Sequence, residues 1–396
     1  MKKIFKCNQN DEETIPLELL EGTDIKFPTL HQNATDIAYI AVALKEMKKD
    51  SFCKVPFCTT VEAEALGAKI NLGNEADGPR ASEYSYNSID EILEAKKINL
   101  YIENDSNILE SEKINYIESV NKHTENETDN VDFERKININ LDKGRIREVL
   151  NAISILKNQG QKTVLNITGP FTIISMLIDL KFFYKALRKQ KEKAEKLVDF
   201  IIENVILFAK EGAKVGADVI SYSDPLASIE IVGPKVYNEI VATKTFELIK
   251  KLDENLEGKI IHICGRVSSD LENSGYIETE ELNIENHYED NRSESYNKDN
   301  QHDENCLCKI NESDLKYGEK IALLIEKINL ESEEVKEEGI KKEEIKEEVI
   351  KKEVKEGEQV EEEKNNLGNK KNLILGNNCL KRTPYKSKAY KIIYGK

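Results

Sequence analysis

His262 and Cys264 stand two residues apart at the end of the apolar run Lys259–Cys264 (KIIHIC). Side chains at i and i+2 of a strand point to the same face, so both can project toward one ion. An imidazole nitrogen with a thiolate sulfur suits zinc. Two ligands do not make a site, and Cys379, just after the apolar run Asn372–Leu375, is the third candidate. One histidine and two cysteines leave an open position on a tetrahedral ion, which is the arrangement of a catalytic metal rather than a structural one. The bland reading is that a His and a Cys near a strand end are core residues, since Cys is a common small core side chain. A rival cluster, His302, Cys306 and Cys308, lies in polar sequence that offers no rigid scaffold or second shell. Cys53 and Cys58 flank an extended segment and read as core thiols or as thiols at the mouth of a site. Glu62 and Glu64 open a helical stretch, where acids complement the helix dipole. Asp224 precedes Pro225; it starts a turn there or, at a strand end, hydrogen-bonds a substrate or a metal-bound histidine.

The elements that must position these residues follow from periodicity. Asp36–Lys49 (DIAYIAVALKEMKK) has apolar residues at helical spacing. Val61–Leu66 is helical and stops at Gly67; Arg145–Lys157 is amphipathic and closes at Gly160. Phe171–Leu180, Lys191–Val215 and Pro234–Leu252 read as further helices. Between them stand short apolar runs: Lys54–Cys58, Lys162–Thr168 (KTVLNIT), Ala217–Tyr222 (ADVISY), Lys259–Cys264 and Asn372–Leu375. Near-continuous apolar strands alternating with helices are the signature of a parallel sheet covered on both faces. A barrel and a doubly wound sheet both fit, and in either the chemistry sits at the C-terminal ends of the strands. Thr168-Gly169-Pro170, Asp224-Pro225, His262 to Gly265 and Gly376 to Cys379 cluster at those ends.

Composition narrows the partners. The chain has 396 residues, 58 basic and 74 acidic, for a net charge of −16. A phosphate backbone attracts lysine and arginine patches, so nucleic acid is an unsuitable partner. No apolar run approaches the roughly 18 residues needed to span a bilayer. The opening MKKIFKCNQNDEET has no apolar stretch after its lysines and does not read as a secretory signal. Seven cysteines, an odd number, point to a reducing cytoplasm rather than a disulfide framework. Charge is uneven: residues 331–364 hold 15 Glu and 8 Lys, a net −7, with an imperfect IKKEE-IKEEV-IKKEV repeat whose period of five fits neither helix nor strand. That stretch reads as a solvated insert. The Asn/Asp/Glu/Ser-rich stretches 101–131 and 283–313 read likewise. The expected organisation is one domain over residues 1–396 with polar inserts at 101–131, 283–313 and 331–366.

Several of these residues together resemble the uroporphyrinogen decarboxylase superfamily, and most of all its zinc-dependent branch of methylcobamide:coenzyme M methyltransferases. The resemblance starts at Phe27-Pro28-Thr29-Leu30-His31 and is sharpest in VPFCTTVEAEALGA, Val55 to Ala68. It continues through Asn166-Ile167-Thr168-Gly169-Pro170-Phe171-Thr172, Gly216-Ala217-Asp218 and Ser223-Asp224-Pro225-Leu226-Ala227-Ser228. It ends with His262-Ile263-Cys264-Gly265 and Leu375-Gly376-Asn377. It implies an α/β fold, a (β/α)8 TIM barrel interrupted by the polar inserts. The decarboxylases proper carry an N-terminal arginine-rich motif, a tyrosine shortly after the GP-x-T run and a C-terminal glycine-histidine pair. Here the chain has eight arginines and no such motif, Met176 falls near the tyrosine position, and Asn377 and Asn378 occupy the last region. Porphyrinogen decarboxylation is therefore disfavoured.

For the methyltransferase branch the resemblance implies zinc held by His262, Cys264 and a later cysteine, matched approximately by Cys379, with Cys306 and Cys308 as alternatives. The reaction it implies moves a methyl group from a methylated corrinoid (methylcobamide) to a small-molecule thiol, or to another acceptor such as a pterin. In that scheme Asp224 orients His262 or contacts substrate, and Glu62 lies close to the zinc. The chain shows no DxHxxG-type corrinoid-binding motif, so the corrinoid is expected on a separate, transiently docked protein. The contrasting expectation is a barrel used as a binding or scaffold protein, which gains if the ligand set is incomplete.

Overall fold

The apolar runs do pair side by side. The structure is a computed structural model and describes residues 15–75, 77–93, 139–282, 315–326, 372–380 and 388–394. Its strands are β1 (Cys53–Val55), β2 (Lys69–Asn71), β3 (Arg80–Glu83), β4 (Thr163–Thr168), β5 (Val219–Ser223), β6 (Ile260–Cys264), β7 (Glu278–Leu282), β8 (Leu373–Asn378) and β9 (Ala389–Ile393). Seven form one sheet in the order β1-β4-β5-β6-β8-β9-β7, and β2 and β3 form a separate antiparallel pair. From β1 to β8 every neighbouring pair is parallel; β8/β9 and β9/β7 are antiparallel. Among the described residues no ladder joins β1 to β7. The three stretches read as inserts, and with them His302, Cys306 and Cys308, lie outside the described residues.

Helices connect the parallel strands. They are α1 (Ala34–Lys48), α2 (Val61–Ala65), α3 (Gly144–Asn158), α4 (Pro170–Leu177), α5 (Leu180–Lys189), α6 (Lys191–Lys214), α7 (Ile229–Val236), α8 (Ala242–Asn255) and α9 (Gly265–Asn273). Their ends follow local chemistry. The Asn33 side chain accepts from Thr35 N and Asp36 N and so caps α1. Gly160 takes a left-handed φ of 71° after α3, as its place in the sequence predicts. Pro170 occupies the first position of α4, where its missing N–H costs nothing.

The pleat sorts residues onto two faces. Leu165 and Ile167, Ile220 and Tyr222, and Ile261 and Ile263 pack with α3, α6 and α8 in the main core. Val164, Val219 and Ile260 face the other way, against Tyr317, Ile321, Leu324 and Ile325 of the helical stretch 317–326. Ladder register aligns this second face in rows: Val164, Val219 and Ile260 are level, and Asn166, Ser221 and His262 are level two residues further on. One face is therefore apolar at the N-terminal ends of the strands and polar at their C-terminal ends. Every one of those six side chains is buried.

Candidate functional site

The polar row is where sequence and structure meet. His262 is 1% exposed. Its Nδ1 lies 3.0 Å from Ser221 Oγ on β5, and its Nε2 lies 3.3 Å from the carbonyl oxygen of Asn378 on β8. Burial, with a smaller contribution from the charge of Lys54, pushes the imidazole down to about 3, so it is neutral at physiological pH. Cys264 closes β6 half-buried and stands at the N-cap of α9. The β6/β8 ladder shifts register between His262 and Cys264 and sets Cys264 opposite Asn378, the neighbour of half-buried Cys379. The shift loosens the simple i, i+2 expectation that both side chains share one geometry.

β8 is anchored at this end by Asn377, whose φ is 55°. Its Nδ2 donates to Glu272 Oε2 and Thr279 Oγ1, both at 3.0 Å, and its Oδ1 accepts from Ser268 and Ser269. Asn377 N donates to Ser268 Oγ at 2.7 Å. One residue thus ties the end of β8 to α9 and β7, and fixes where Asn378 and Cys379 follow.

His262, Cys264 and Cys379 are brought to adjacent strands, and as one imidazole and two thiols they suit zinc in donor chemistry. They do not converge: among the described residues no three or more His, Cys, Asp and Glu side chains are grouped to hold a metal ion.

The two expected carboxylates sit elsewhere in the end of the sheet. Glu62, buried in α2, accepts the backbone N–H of Thr168 at 2.7 Å and so fastens α2 to the end of β4. Asp224 accepts from Phe171 N (3.0 Å), Thr172 N (2.9 Å) and Thr172 Oγ1 (2.6 Å), which makes it the cap of α4 from across the β4/β5 connection. A Cβ on Gly169 would lie 2.4 Å from the Asp224 side chain, so glycine is required for this approach. Burial pushes Asp224 up to about 6, against the three donors that favour its charge. The described partners of Asp224 are those of α4, and His262 is not among them.

A second cluster gathers around the loop after β1. Arg145, 4% exposed on α3, donates to the His31 carbonyl, Thr60 Oγ1, Glu64 Oε2 (3.0 Å) and Cys58 Sγ (3.0 Å). His31 is buried between the rings of Phe27 and Phe57, with centroids at 6.0 and 6.3 Å. Burial first, and the Arg145 charge second, push its imidazole down to about 4. His31 and Cys58 line a cavity of about 330 Å³ together with Phe27, Phe57 and Asn74. Cys58 is therefore at a cavity wall, whereas Cys53 is fully buried and its thiol is raised to about 11 by burial. Arg145 was not singled out by the sequence reading, which treated its helix only as an amphipathic element.

Comparison with known proteins bears on what these strand ends belong to. The Uroporphyrinogen decarboxylase (URO-D) family model matches residues 112–308. The methylcobamide:CoM methyltransferase MtaA of Methanosarcina barkeri (strain Fusaro) is 26% identical over 275 residues, 68% of this chain and 67% of that protein. MtbA of Methanosarcina mazei, also a methylcobamide:CoM methyltransferase, is 23% identical over 65% of both chains. A methylated-thiol–coenzyme M methyltransferase of the same organism is 22% identical, over 63% of this chain and 56% of its own. The matched stretch thus spans two thirds or less of these relatives' length. A solved methyltransferase from Methanosarcina mazei aligns over 67% of each chain at 23% identity, with a TM-score of 0.48. The chain is thus similar to the Uroporphyrinogen decarboxylase (URO-D) family over residues 112–308, and it resembles the methylcobamide:CoM methyltransferases.

Proposed function

We propose that this chain transfers a methyl group from a methylated corrinoid to a thiol, at a zinc centre held by His262, Cys264 and Cys379. The observation that carries the reading is the β6/β8 pairing, which sets Cys264 opposite the residue before Cys379 with His262 two positions back. The relatives that act on methylcobamide and coenzyme M support the same chemistry. In this reading the five parallel strands are staves of a (β/α)8 barrel, the single domain of the chain, with 101–131, 283–313 and 331–366 as inserts, and a corrinoid protein docks transiently over the strand ends.

Each residue has a task. Cys264 and Cys379 would hold the ion through their sulfurs and His262 through a ring nitrogen. Bound zinc would supply one thing: a lowered pKa for the acceptor thiol, so that thiolate is available at neutral pH. The thiolate sulfur attacks the methyl carbon in line; the C–S bond forms, the Co–C bond breaks, and its electron pair stays with cobalt. Holding the two substrates face to face provides much of the rate. Asn377 sets the position of Cys379 through its bonds to α9 and β7. Glu62 fastens α2 beside the site, and Asp224 holds the α4 N-terminus at the same end; neither is assigned a proton.

Zinc content of the purified chain tests this. About one zinc per chain in wild type, lost in both Cys264→Ala and Cys379→Ala, is the expected result. Zinc retained in Cys379→Ala would move the third ligand elsewhere, and zinc-free wild type would remove the centre altogether.

A further inference from the structure

We propose that the basic face of α5 is the dock for the corrinoid-carrying protein, and that the surface it meets there is acidic. The inference rests on the methyl-transfer reading above, which needs the donor brought to the strand ends. Residues 181–196 hold seven Lys and Arg against two Glu, in a chain whose net charge is −16. α5 sorts its residues onto two faces. Phe183, Ala186 and Leu187 are buried, while Lys181, Lys185, Arg188 and Lys189 are exposed. Their spacing of i, i+4, i+7 and i+8 sets the four cations in one stripe, which exposed Lys191 continues at the start of α6.

Carboxylates of the chain answer part of this charge. Lys181 meets Asp179 at 2.7 Å, Lys191 meets Glu195 at 3.5 Å and Lys193 meets Asp90 at 2.6 Å. Lys185, Arg188 and Lys189 have no carboxylate partner among the described residues. Like charges one turn apart repel each other, and an acidic surface laid on the stripe relieves that repulsion. The stripe also stands at the right end of the sheet. The Phe183 ring, in the first turn of α5, lies 6.1 Å from the ring of Phe171, whose N–H is held by Asp224 at the end of β5. From there α6 returns to β5 over 24 residues, ~36 Å of helix, whereas β5 has five residues, ~17 Å of strand. The first turns of α6, and the basic end of α5 joined to them at Gln190, reach beyond the strand ends.

A folded protein suits this surface better than other acidic partners. A nucleic acid that followed the stripe would run on over a chain of net negative charge and be repelled. An anionic membrane takes up a basic helix by burying an apolar face beside the cations, and the apolar face of α5 is already packed against α6 in the core. A protein can present an acidic patch that ends where the stripe ends. Charge complementarity of this kind speeds encounter and sets orientation more than it tightens the complex. Those are the needs of a carrier that must arrive, deliver a methyl group and leave.

The test titrates the ¹⁵N-labelled full chain with octaglutamate, with an oligothymidylate of equal charge and with phosphatidylglycerol vesicles, following backbone amides by NMR. Octaglutamate should shift the amides of residues 181–196 in wild type, and less so at high salt. Reversal of the stripe in Lys185→Glu/Arg188→Glu/Lys189→Glu should weaken binding about tenfold or more. Lys185→Arg/Arg188→Lys/Lys189→Arg, which keeps the charge, should bind within about twofold of wild type. No shift within 181–196, or equal binding by the reversed variant, overturns the inference. Tighter binding of the oligothymidylate or the vesicles through the same residues overturns it in favour of those partners. The titration contains neither zinc nor a methyl donor, so its failure leaves the zinc centre standing. A chain that binds octaglutamate at α5 but takes up no zinc loses the corrinoid carrier as its partner, and the inference falls with the methyl-transfer reading.

Discussion

Arg145 and Arg147 stand two residues apart on α3 and have opposite fates. Arg145 is buried and spends its guanidinium on His31 O, Thr60, Glu64 and Cys58, while Arg147 is half-exposed beside the exposed Asp142 at 3.7 Å. Arg145→Leu should lower unfolding stability by about 2–4 kcal/mol, because four acceptors lose their donor. Arg147→Leu should change it by less than about 0.5 kcal/mol; urea melts of the two variants make the comparison. Equal effects would contradict the account of the cluster. This difference was not legible in the sequence: an arginine on an amphipathic helix reads as solvent-facing, and only the packing of α3 against the loop after β1 buries it. His262 and Cys264 were legible as candidates because a strand end is recognisable. Their hydrogen-bond partners, Ser221 and Asn378, come from other strands and no local pattern announces them.

At the scale of elements, α4 shows how a strand-to-helix turn is built. Gly169 ends β4, Pro170 begins the helix, and Asp224 reaches over from the end of β5 to take the N–H groups of Phe171 and Thr172. Gly169→Ala should cost about 1–3 kcal/mol, since the new methyl group would displace the carboxylate. A thermal melt indistinguishable from wild type would show that the close approach is not required. The parallel strands were legible because burial on both faces leaves continuous apolar runs. β8 runs on to Asn378, three residues past the apolar stretch Asn372–Leu375, because its polar end pairs with β6 beside the site. β7 (ETEEL) was missed, since it is an edge strand half-covered by β9 and carries polar residues on its open side. The exposed pair β2/β3 was missed for the same reason.

For the whole molecule, the buried titratable groups set an acid-sensitive fold. His31 and His262 are held neutral, at about 4 and about 3. The unfolded chain protonates both near 6.5, so it binds more protons, and the stability present above that pH is lost as pH falls through 6.5 toward 4. Asp224 acts in the opposite sense. Its proton is held more tightly in the folded chain, so its contribution improves as pH falls from about 6 toward its ordinary value. Burial pushes Asp270 and Asp36 up as well, but the two histidines are displaced further than Asp224 and should prevail. Urea unfolding should show lower stability at pH 5 than at pH 7, and His262→Gln should reduce that difference; an unchanged difference would contradict it. No helix among the described residues is long and apolar enough to cross a membrane. The resemblance to the superfamily was legible from several short motifs in one order, although each alone is weak. The polar stretches 101–131, 283–313 and 331–366 remain expectations from composition, because they lie outside the described residues.

The most direct test of methyl transfer is to incubate the zinc-loaded chain with methylcobalamin and coenzyme M and follow both products. The account predicts loss of the methyl–cobalt absorbance matched one-to-one by methylated thiol, and at least a hundredfold slower in Cys264→Ala, which removes a proposed metal ligand. No demethylation by zinc-loaded wild type, or a rate unchanged in Cys264→Ala, would contradict it.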